Sequence, residues 1–169
     1  MNRDGMPNAL YAHTRLGFKP PKEVYMGIDP GQKGGWCVLG FDAGPLPWSG
    51  KDLDGRALAS IIRCNGVTSA VIEKAQAMPK QGVTSMFSYG YGAGKIAGIL
   101  EALGVPYRLV TPQAWKKLIL AGTAKDKTAA ISYVRRWYPA IDLMPGKKRT
   151  PHDGIADAVC LAEWAKKTS

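Results

Sequence analysis

Short apolar runs and helically spaced apolar positions alternate along the chain from about residue 24. The runs are rich in β-forming residues, and they predict five strands at VYMGID, GGWCVLGF, a short edge segment within 42–50, TSAVIE and VPYRLV. Apolar residues at helical spacing predict helices at 53–62, 93–103, from 111, 125–137 and from about 150, with a loop at 74–89. This order of elements predicts an α/β domain, a mixed five-stranded sheet with helices on both faces.

The first 22 residues differ from the rest of the chain in composition and in hydrophobic pattern. They are polar, contain Gly and Pro, show no period and carry four basic side chains, three before the Pro20-Pro21 break and one directly after it. They predict a flexible basic arm at 1–22, followed by one domain at 23–169. With 169 residues in all, 46% of them hydrophobic, the chain is long enough to bury a core without disulfides.

Basic residues outnumber acidic ones by 23 to 13, which gives a formal net charge of +10. Between 106 and 169 there are 12 basic and 5 acidic residues, so the excess is concentrated in the last third. Such a charge favours an extended polyanion, with nucleic acid the first candidate and an acidic membrane surface the second.

The cysteines and the hydropathy pattern indicate in which compartment of the cell we expect the protein. Cys37, Cys64 and Cys160 are far apart and form no C-x-x-C pair, so neither a disulfide framework nor a zinc site is predicted. No run approaches the roughly 18 apolar residues of a membrane helix, and the N-terminus has no signal-peptide pattern. We expect a soluble cytoplasmic protein with no membrane partner.

Four carboxylates stand where packing alone would not place them. Asp29 and Glu73 each end an apolar run, and Asp153 and Asp157 are one helical turn apart on the last helix. A carboxylate beside a buried strand needs a partner, and neighbouring parallel strands would bring Asp29 and Glu73 together. Oxygen ligands without cysteine favour Mg²⁺ or Mn²⁺, so we predict a metal site.

Structural interpretations of the same residues stay open. Asp29 fits an Asp-Pro-Gly turn, Glu73 could pair with Lys74 or with a neighbouring helix, and Asp153 suits a helix N-terminus. His152 is a candidate metal ligand, general acid or helix-start residue. Tyr89 and Tyr91 flank glycines near a helix start, where an aromatic ring can reach a nucleobase.

Five ordered motifs carry a family resemblance. They are GIDPG at 27–31, VIEKAQAMPKQG at 71–82, SMFSYGYGAGKIAGILEALGVPY at 85–107, TPQAWKK at 111–117 and HDGIADAV at 152–159. Together they resemble RuvC-type Holliday junction resolvases, and phage and chloroplast members most of all. The similarity spans most of the chain from about residue 24.

The resemblance implies an RNase H-like fold, a homodimer and Mg²⁺-dependent paired nicking of four-way DNA junctions, with Mn²⁺ as a substitute. It also implies a phage-infected or bacterial cell, or an organelle, as the location. No small-molecule cofactor is expected. The implied catalytic residues are Asp29, Glu73, Asp153, Asp157 and His152, the four carboxylates being the metal ligands. The implied DNA contacts are Lys116, Lys117, Lys125, Lys127, Tyr89, Tyr91, Gln76 and Lys80.

Two departures from the family pattern affect these assignments. Family members often have two acids three residues apart on the last helix, whereas Asp153 and Asp157 are four apart. The remaining metal ligand is therefore His152 or Asp153. Gln76 stands where the family has an aromatic residue three positions after the strand-end Glu73, so a different way of opening the junction is implied.

Other functions compatible with the sequence are a different RNase H-like nuclease, acting on RNA:DNA hybrids or other branched DNA, and a non-catalytic junction-binding protein. A non-catalytic protein would keep the charge but would not need the four carboxylates. An actin-like phosphotransferase also begins with a strand that ends in a Gly-rich turn, but 169 residues are too few for its two lobes.

Overall fold

The strands lie near the centre of the computed structural model, which describes residues 23–74, 82–123, 126, 128–146 and 149–169. Arm residues 1–22 therefore fall outside the described part of the chain. Within it the strands are β1 Tyr25–Ile28, β2 Gly35–Val38, β3 Asp42–Pro45, β4 Trp48–Ser49, β5 Asp52–Leu53, β6 Ser69–Glu73 and β7 Tyr107–Val110.

The helices are α1 Gly55–Cys64, α2 Val83–Ala102, α3 Pro112–Ile119, α4 Ala129–Trp137 and α5 Asp153–Lys167. Local sequence explains several of their starts. Thr111 caps α3, accepting a hydrogen bond from the Ala114 amide, and Pro112 takes the first helical position, as predicted. The last helix begins slightly later than expected, at Asp153, because His152 acts as its cap. No described helix is long and apolar enough to cross a membrane.

Five strands form one mixed sheet in the order β3-β2-β1-β6-β7, which confirms the predicted fold class. Strand β2 pairs antiparallel with both β1 and β3. The other two pairs, β1 with β6 and β6 with β7, are parallel. Strands β4 and β5 form a separate small hairpin. Parallel pairing places the C-terminal ends of β1 and β6 side by side at one edge of the sheet.

Side-chain alternation along β1 and β6 divides the core into two layers. Met26 and Ile28 join the cluster beneath α1 and α2, which contains Leu58 and Leu100. The alternate strand residues, such as Val71, face the other side of the sheet. They join the cluster with Trp115, Ile155 and other residues of α3, α4 and α5. Helices therefore cover both faces, as predicted.

A close approach between α5 and the sheet depends on glycine. A Cβ on Gly27 of β1 would lie 2.1 Å from the carbonyl oxygen of Ala158, and a Cβ on Gly154 would lie 2.3 Å from that of Lys33. Real side chains do not tolerate such distances. The two glycines therefore let the start of α5 rest directly on β1 and on the turn that follows it.

One predicted element is wrong. Residues 83–89 were expected in a loop and the helix only from Ala93, but α2 begins at Val83. The glycines at 90, 92 and 94 suggested an interruption, yet each costs a helix only about 1 kcal/mol relative to alanine. Gly92 also packs against the Trp48 ring, where a Cβ would come within 2.9 Å. The remaining loop residues, 75–81, lie outside the described part of the chain.

Candidate active site

Asp29 and Glu73 lie side by side at the C-terminal ends of two neighbouring strands. The parallel register pairs Ile28 with Ile72, so Asp29, directly after β1, comes next to Glu73, the last residue of β6. Alternation directs both side chains to the face covered by α5, because Gly27 and Val71, two residues earlier, face that side. The strand arrangement that the sequence analysis required for a shared site is therefore present.

The first turns of α5 bring the other two carboxylates to the same place. Asp153 opens the helix and Asp157 follows one turn later. The bridge between Gly34 and Gly154 ties the helix start to the turn after β1. As a result, the charge on Asp153 is felt by both Asp29 and Asp157.

Burial raises the pKa values of Asp29, Glu73 and Asp157, and for the two aspartates the crowding of like charges adds to the shift. Burial raises the pKa of Asp29 to about 6, and the neighbouring Glu73 charge adds to the shift. Burial likewise raises the pKa of Asp157 to about 7, with contributions from Asp29, Glu73 and Asp153, although Lys116 opposes it. The pKa of Glu73 is also raised, by burial. The site thus holds more negative charge than its surroundings neutralise.

Lys116 and Tyr89 face this cluster from two further helices. Lys116 on α3 lowers the pKa values of Asp29, Glu73 and Asp157 through its positive charge. Burial raises the pKa of the Tyr89 hydroxyl on α2, and the charges of Asp29 and Glu73 raise it further. Two residues predicted to contact DNA therefore lie beside the carboxylates.

An open cleft of about 920 Å³ joins the site to solvent. Its charged lining residues are Lys116 and Lys117 of α3, Asp153 and Asp157 of α5, and Asp126. Tyr91 lies further along α2 with 55% of its surface exposed. The other predicted DNA contacts, Gln76, Lys80, Lys125 and Lys127, lie outside the described residues.

His152 lies at the junction between the preceding loop and α5. It is buried, and its Nδ1 accepts a hydrogen bond of 3.3 Å from the Ile155 amide, which fits the helix-start interpretation. Asp29 similarly accepts from the Gly31 amide at 3.3 Å, as an Asp-Pro-Gly turn would predict. Each of these local hydrogen bonds fits the structural interpretation of its residue, and neither conflicts with the chemical one.

Sequence reasoning missed one residue of the site, Trp115 on α3. It was interpreted as a core tryptophan and is indeed fully buried, but its indole Nε1 donates a 2.8 Å hydrogen bond to Oε2 of Glu73. Its place in TPQAWKK, directly before Lys116, was the available signal. Glu73 makes no ion pair with Lys74 within the described residues; the two pairs found there are Lys95–Asp52 and Lys167–Glu163.

The donor set fits a hard divalent cation in chemistry and in charge. Carboxylate oxygens are the ligands that Mg²⁺ prefers, and the raised pKa values of Asp29 and Asp157 reflect burial together with a repulsion between like charges that a cation would relieve. In the described part of the chain, however, no three His, Cys, Asp or Glu side chains converge closely enough to hold a metal as they stand.

The raised pKa values predict how the metal-free protein responds to pH. A carboxyl whose pKa is higher in the folded than in the unfolded state stabilises the fold at low pH, and this stability is lost as pH rises through the folded pKa. The free energy of unfolding should therefore fall between about pH 4 and pH 7, where Asp29 and Asp157 ionise. Asp157→Asn should raise it by about 1 to 3 kcal/mol near pH 8 and flatten the pH dependence, as measured by thermal melts in EDTA.

Asp52→Asn is a control in which the pKa shift of the removed carboxyl has the opposite sign. The hydrogen bond from Lys95 lowers the pKa of the exposed Asp52. This variant should be no more stable than the wild type near pH 8. An Asp157→Asn protein that is equally destabilised at both ends of the range would contradict the repulsion described above.

Comparisons with known proteins agree with this geometry at the level of the fold. In sequence the chain matches no protein-family model and no curated protein. In structure it is similar to Thermus thermophilus RuvC in complex with a Holliday junction substrate, with a TM-score of 0.61 and 17% identity over 86% of this chain and 96% of that one.

Two further solved structures extend the similarity beyond bacteria. Fowlpox virus resolvase in complex with Holliday junction DNA has a TM-score of 0.55 and 14% identity over 86% of this chain and 99% of that one. The yeast mitochondrial Holliday junction resolvase Ydc2 has a TM-score of 0.54 and 12% identity over 84% and 77% of the two chains. The resemblance stated from the motifs is thus confirmed in the architecture: the chain has the RNase H-like fold of the RuvC-type resolvases.

Proposed function

We propose that this protein is a metal-dependent endonuclease that resolves four-way DNA junctions by paired, symmetrical nicks. The observation that carries the proposal is the grouping of Asp29, Glu73, Asp153 and Asp157 next to a cleft that Lys116 and Lys117 also line, in an RNase H-like fold. Structures similar in fold are resolvases described with Holliday junction DNA. A net charge of +10 suits the same polyanionic substrate.

Asp29, Glu73 and Asp157, together with Asp153 or His152, are the residues that would hold Mg²⁺, with Mn²⁺ as a substitute. When bound at such carboxylates, a pair of these ions activates a water for attack on a phosphodiester and stabilises the leaving oxygen. The chain's own part is to keep the ligands ionised in a partly buried place. Lys116 supports this, because its charge favours the ionised forms of three of the carboxylates.

The lysines of α3 would hold the DNA backbone at the cleft. Lys116 and Lys117 line the same cleft as Asp153 and Asp157, so a phosphate bound in the cleft would meet positive charge close to the carboxylate site. Tyr89 adds an aromatic surface next to Asp29 and Glu73. We assign it, with Tyr91, to contacts with unpaired bases of the junction.

We also infer a homodimer, since symmetrical nicks on two strands require two equivalent sites related by a two-fold axis. Exposed residues of α2 recur every three or four positions and form one face of the helix. A Cβ on Gly90, Gly94 or Gly98 would meet nothing within 4 Å, and Phe87 at the start of this face is 72% exposed. The buried apolar residues of α2, Ile96 and Leu100, are not available for pairing because they belong to the core.

Asp29→Asn should separate chemistry from binding. The substitution keeps the shape of the side chain but removes one of the charges that would hold the metal. Cleavage of a four-way junction in Mg²⁺ should fall by about two orders of magnitude or more. Junction affinity measured in Ca²⁺ should stay the same or increase slightly, since the phosphate then meets less negative charge.

Asp42→Asn is the matched control, because it removes one carboxylate from an exposed strand end away from the cleft. It should cut junctions at the wild-type rate. If a folded Asp29→Asn protein also nicks junctions at close to that rate, the carboxylates are not the catalytic centre.

The dimer is tested by enlarging a residue on the exposed face of α2. Gly94→Leu meets open space in the monomer, so it should leave folding intact while placing a bulky side chain in the interface. Light scattering should give about twice the monomer mass of 18.2 kDa for the wild type and for Ser60→Leu, an exposed control on α1, but a reduced mass for Gly94→Leu. A wild-type mass of 18.2 kDa at every concentration, with and without junction, would contradict the dimer.

A further inference from the structure

Trp115 combines two properties that a purely structural core residue does not need to combine. Its side chain is completely buried, and its indole N–H is directed at a carboxylate of the candidate active site, 2.8 Å from Oε2 of Glu73. A buried indole N–H needs an acceptor. Leucine or phenylalanine could fill an apolar position here without requiring any acceptor, so the choice of tryptophan points to the hydrogen bond.

The hydrogen bond leaves the two oxygens of Glu73 in different environments. Oε2 accepts from Trp115, while Oε1 accepts no hydrogen bond from any described residue. Fixing one oxygen on a rigid, buried ring restricts the rotation of a side chain that otherwise has three free torsions. Oε1 is thereby oriented to bind a ligand at the end of β6. The Glu73 side chain is already ordered in the folded protein, before any ligand binds.

The same ring also contacts Lys116. Its ammonium group lies 5.0 Å from the centroid of the Trp115 ring, within the range of a favourable cation–π contact. The residue therefore touches a negative group through its N–H and a positive group through its ring face. Both groups belong to the site, since Glu73 and Lys116 interact electrostatically.

We propose that Trp115 is a positioning residue that orients the Glu73 carboxylate for metal binding. This inference rests on the proposed function in one respect, the role of Glu73 as a metal ligand. Hydrogen-bond partners of metal ligands typically contribute 10- to 100-fold to metal affinity, because they hold the ligand in its binding orientation. Loss of the indole N–H should therefore weaken metal binding even where the core stays filled.

Trp115→Phe removes the N–H and keeps an aromatic ring in the core. Mn²⁺ titrations of the protein without DNA, followed by electron paramagnetic resonance, should show about 10- to 100-fold weaker binding than in the wild type. Trp164→Phe is the matched control: this partly buried tryptophan of α5 packs against the same core and contacts Arg108, not a site carboxylate. Its Mn²⁺ affinity should equal that of the wild type.

A Glu73→Ala background separates orientation from general damage to the fold. Once the carboxylate is gone, Trp115→Phe should change Mn²⁺ affinity by less than about 2-fold, because the two residues act through one contact. An equal loss in both backgrounds would mean that the substitution only disturbs packing, and would overturn the inference.

The indole N–H resonance of Trp115 gives a readout that does not depend on the stability of Trp115→Phe. In proton–nitrogen spectra of the wild-type protein this signal should shift when Mg²⁺ is added, and it should shift again in Glu73→Ala. Metal binding that leaves the Trp115 signal in place, or that Trp115→Phe leaves unchanged, would contradict this inference alone. A wild-type protein that binds no Mn²⁺ would instead contradict the proposed function.

Discussion

The close contact of α5 with β1 determines where every acidic group of the site lies. Gly27 and Gly154 remove the side chains that would otherwise separate the helix from the sheet, so Asp153 and Asp157 come down beside the strand ends that carry Asp29 and Glu73. The parallel pairing of β1 and β6 sets the spacing of the other two acids. A shift of one residue in either strand would turn its carboxylate to the opposite face.

Bringing four carboxylates together works against stability, and the surroundings offset only part of the cost. Burial and mutual repulsion raise the pKa values of Asp29 and Asp157, whereas Lys116 and the Trp115 N–H favour the ionised forms of Glu73 and its neighbours. The remaining negative charge is what would attract divalent cations to this place. Lys116 and Lys117 line the same cleft, so in the proposed function they would hold the phosphate backbone close to the metal.

Much of this was predictable from the sequence, because its signals are local. Apolar runs ending in Asp29 and Glu73, the Thr111-Pro112 start of α3 and the turn-spaced acids of α5 each depend on a few neighbouring residues. The early start of α2 was missed because Gly90 and Gly94 lie on an exposed helix face, where they weaken the helix without ending it. The bond between Trp115 and Glu73 joins residues 42 positions apart, so the TPQAWKK motif could point to Trp115 but could not show its partner.

In the proposed function, this carboxylate site cuts four-way junctions in preference to other nucleic acids. The most direct measurement compares cleavage in Mg²⁺ of a mobile four-way junction, a fixed junction, a linear duplex and an RNA:DNA hybrid by the same protein. We expect symmetrical nicks in two junction strands of like polarity, and far slower cleavage of the duplex and of the hybrid. Equal or faster cleavage of the hybrid, or binding of the junction with no cleavage at all, would contradict the proposed function.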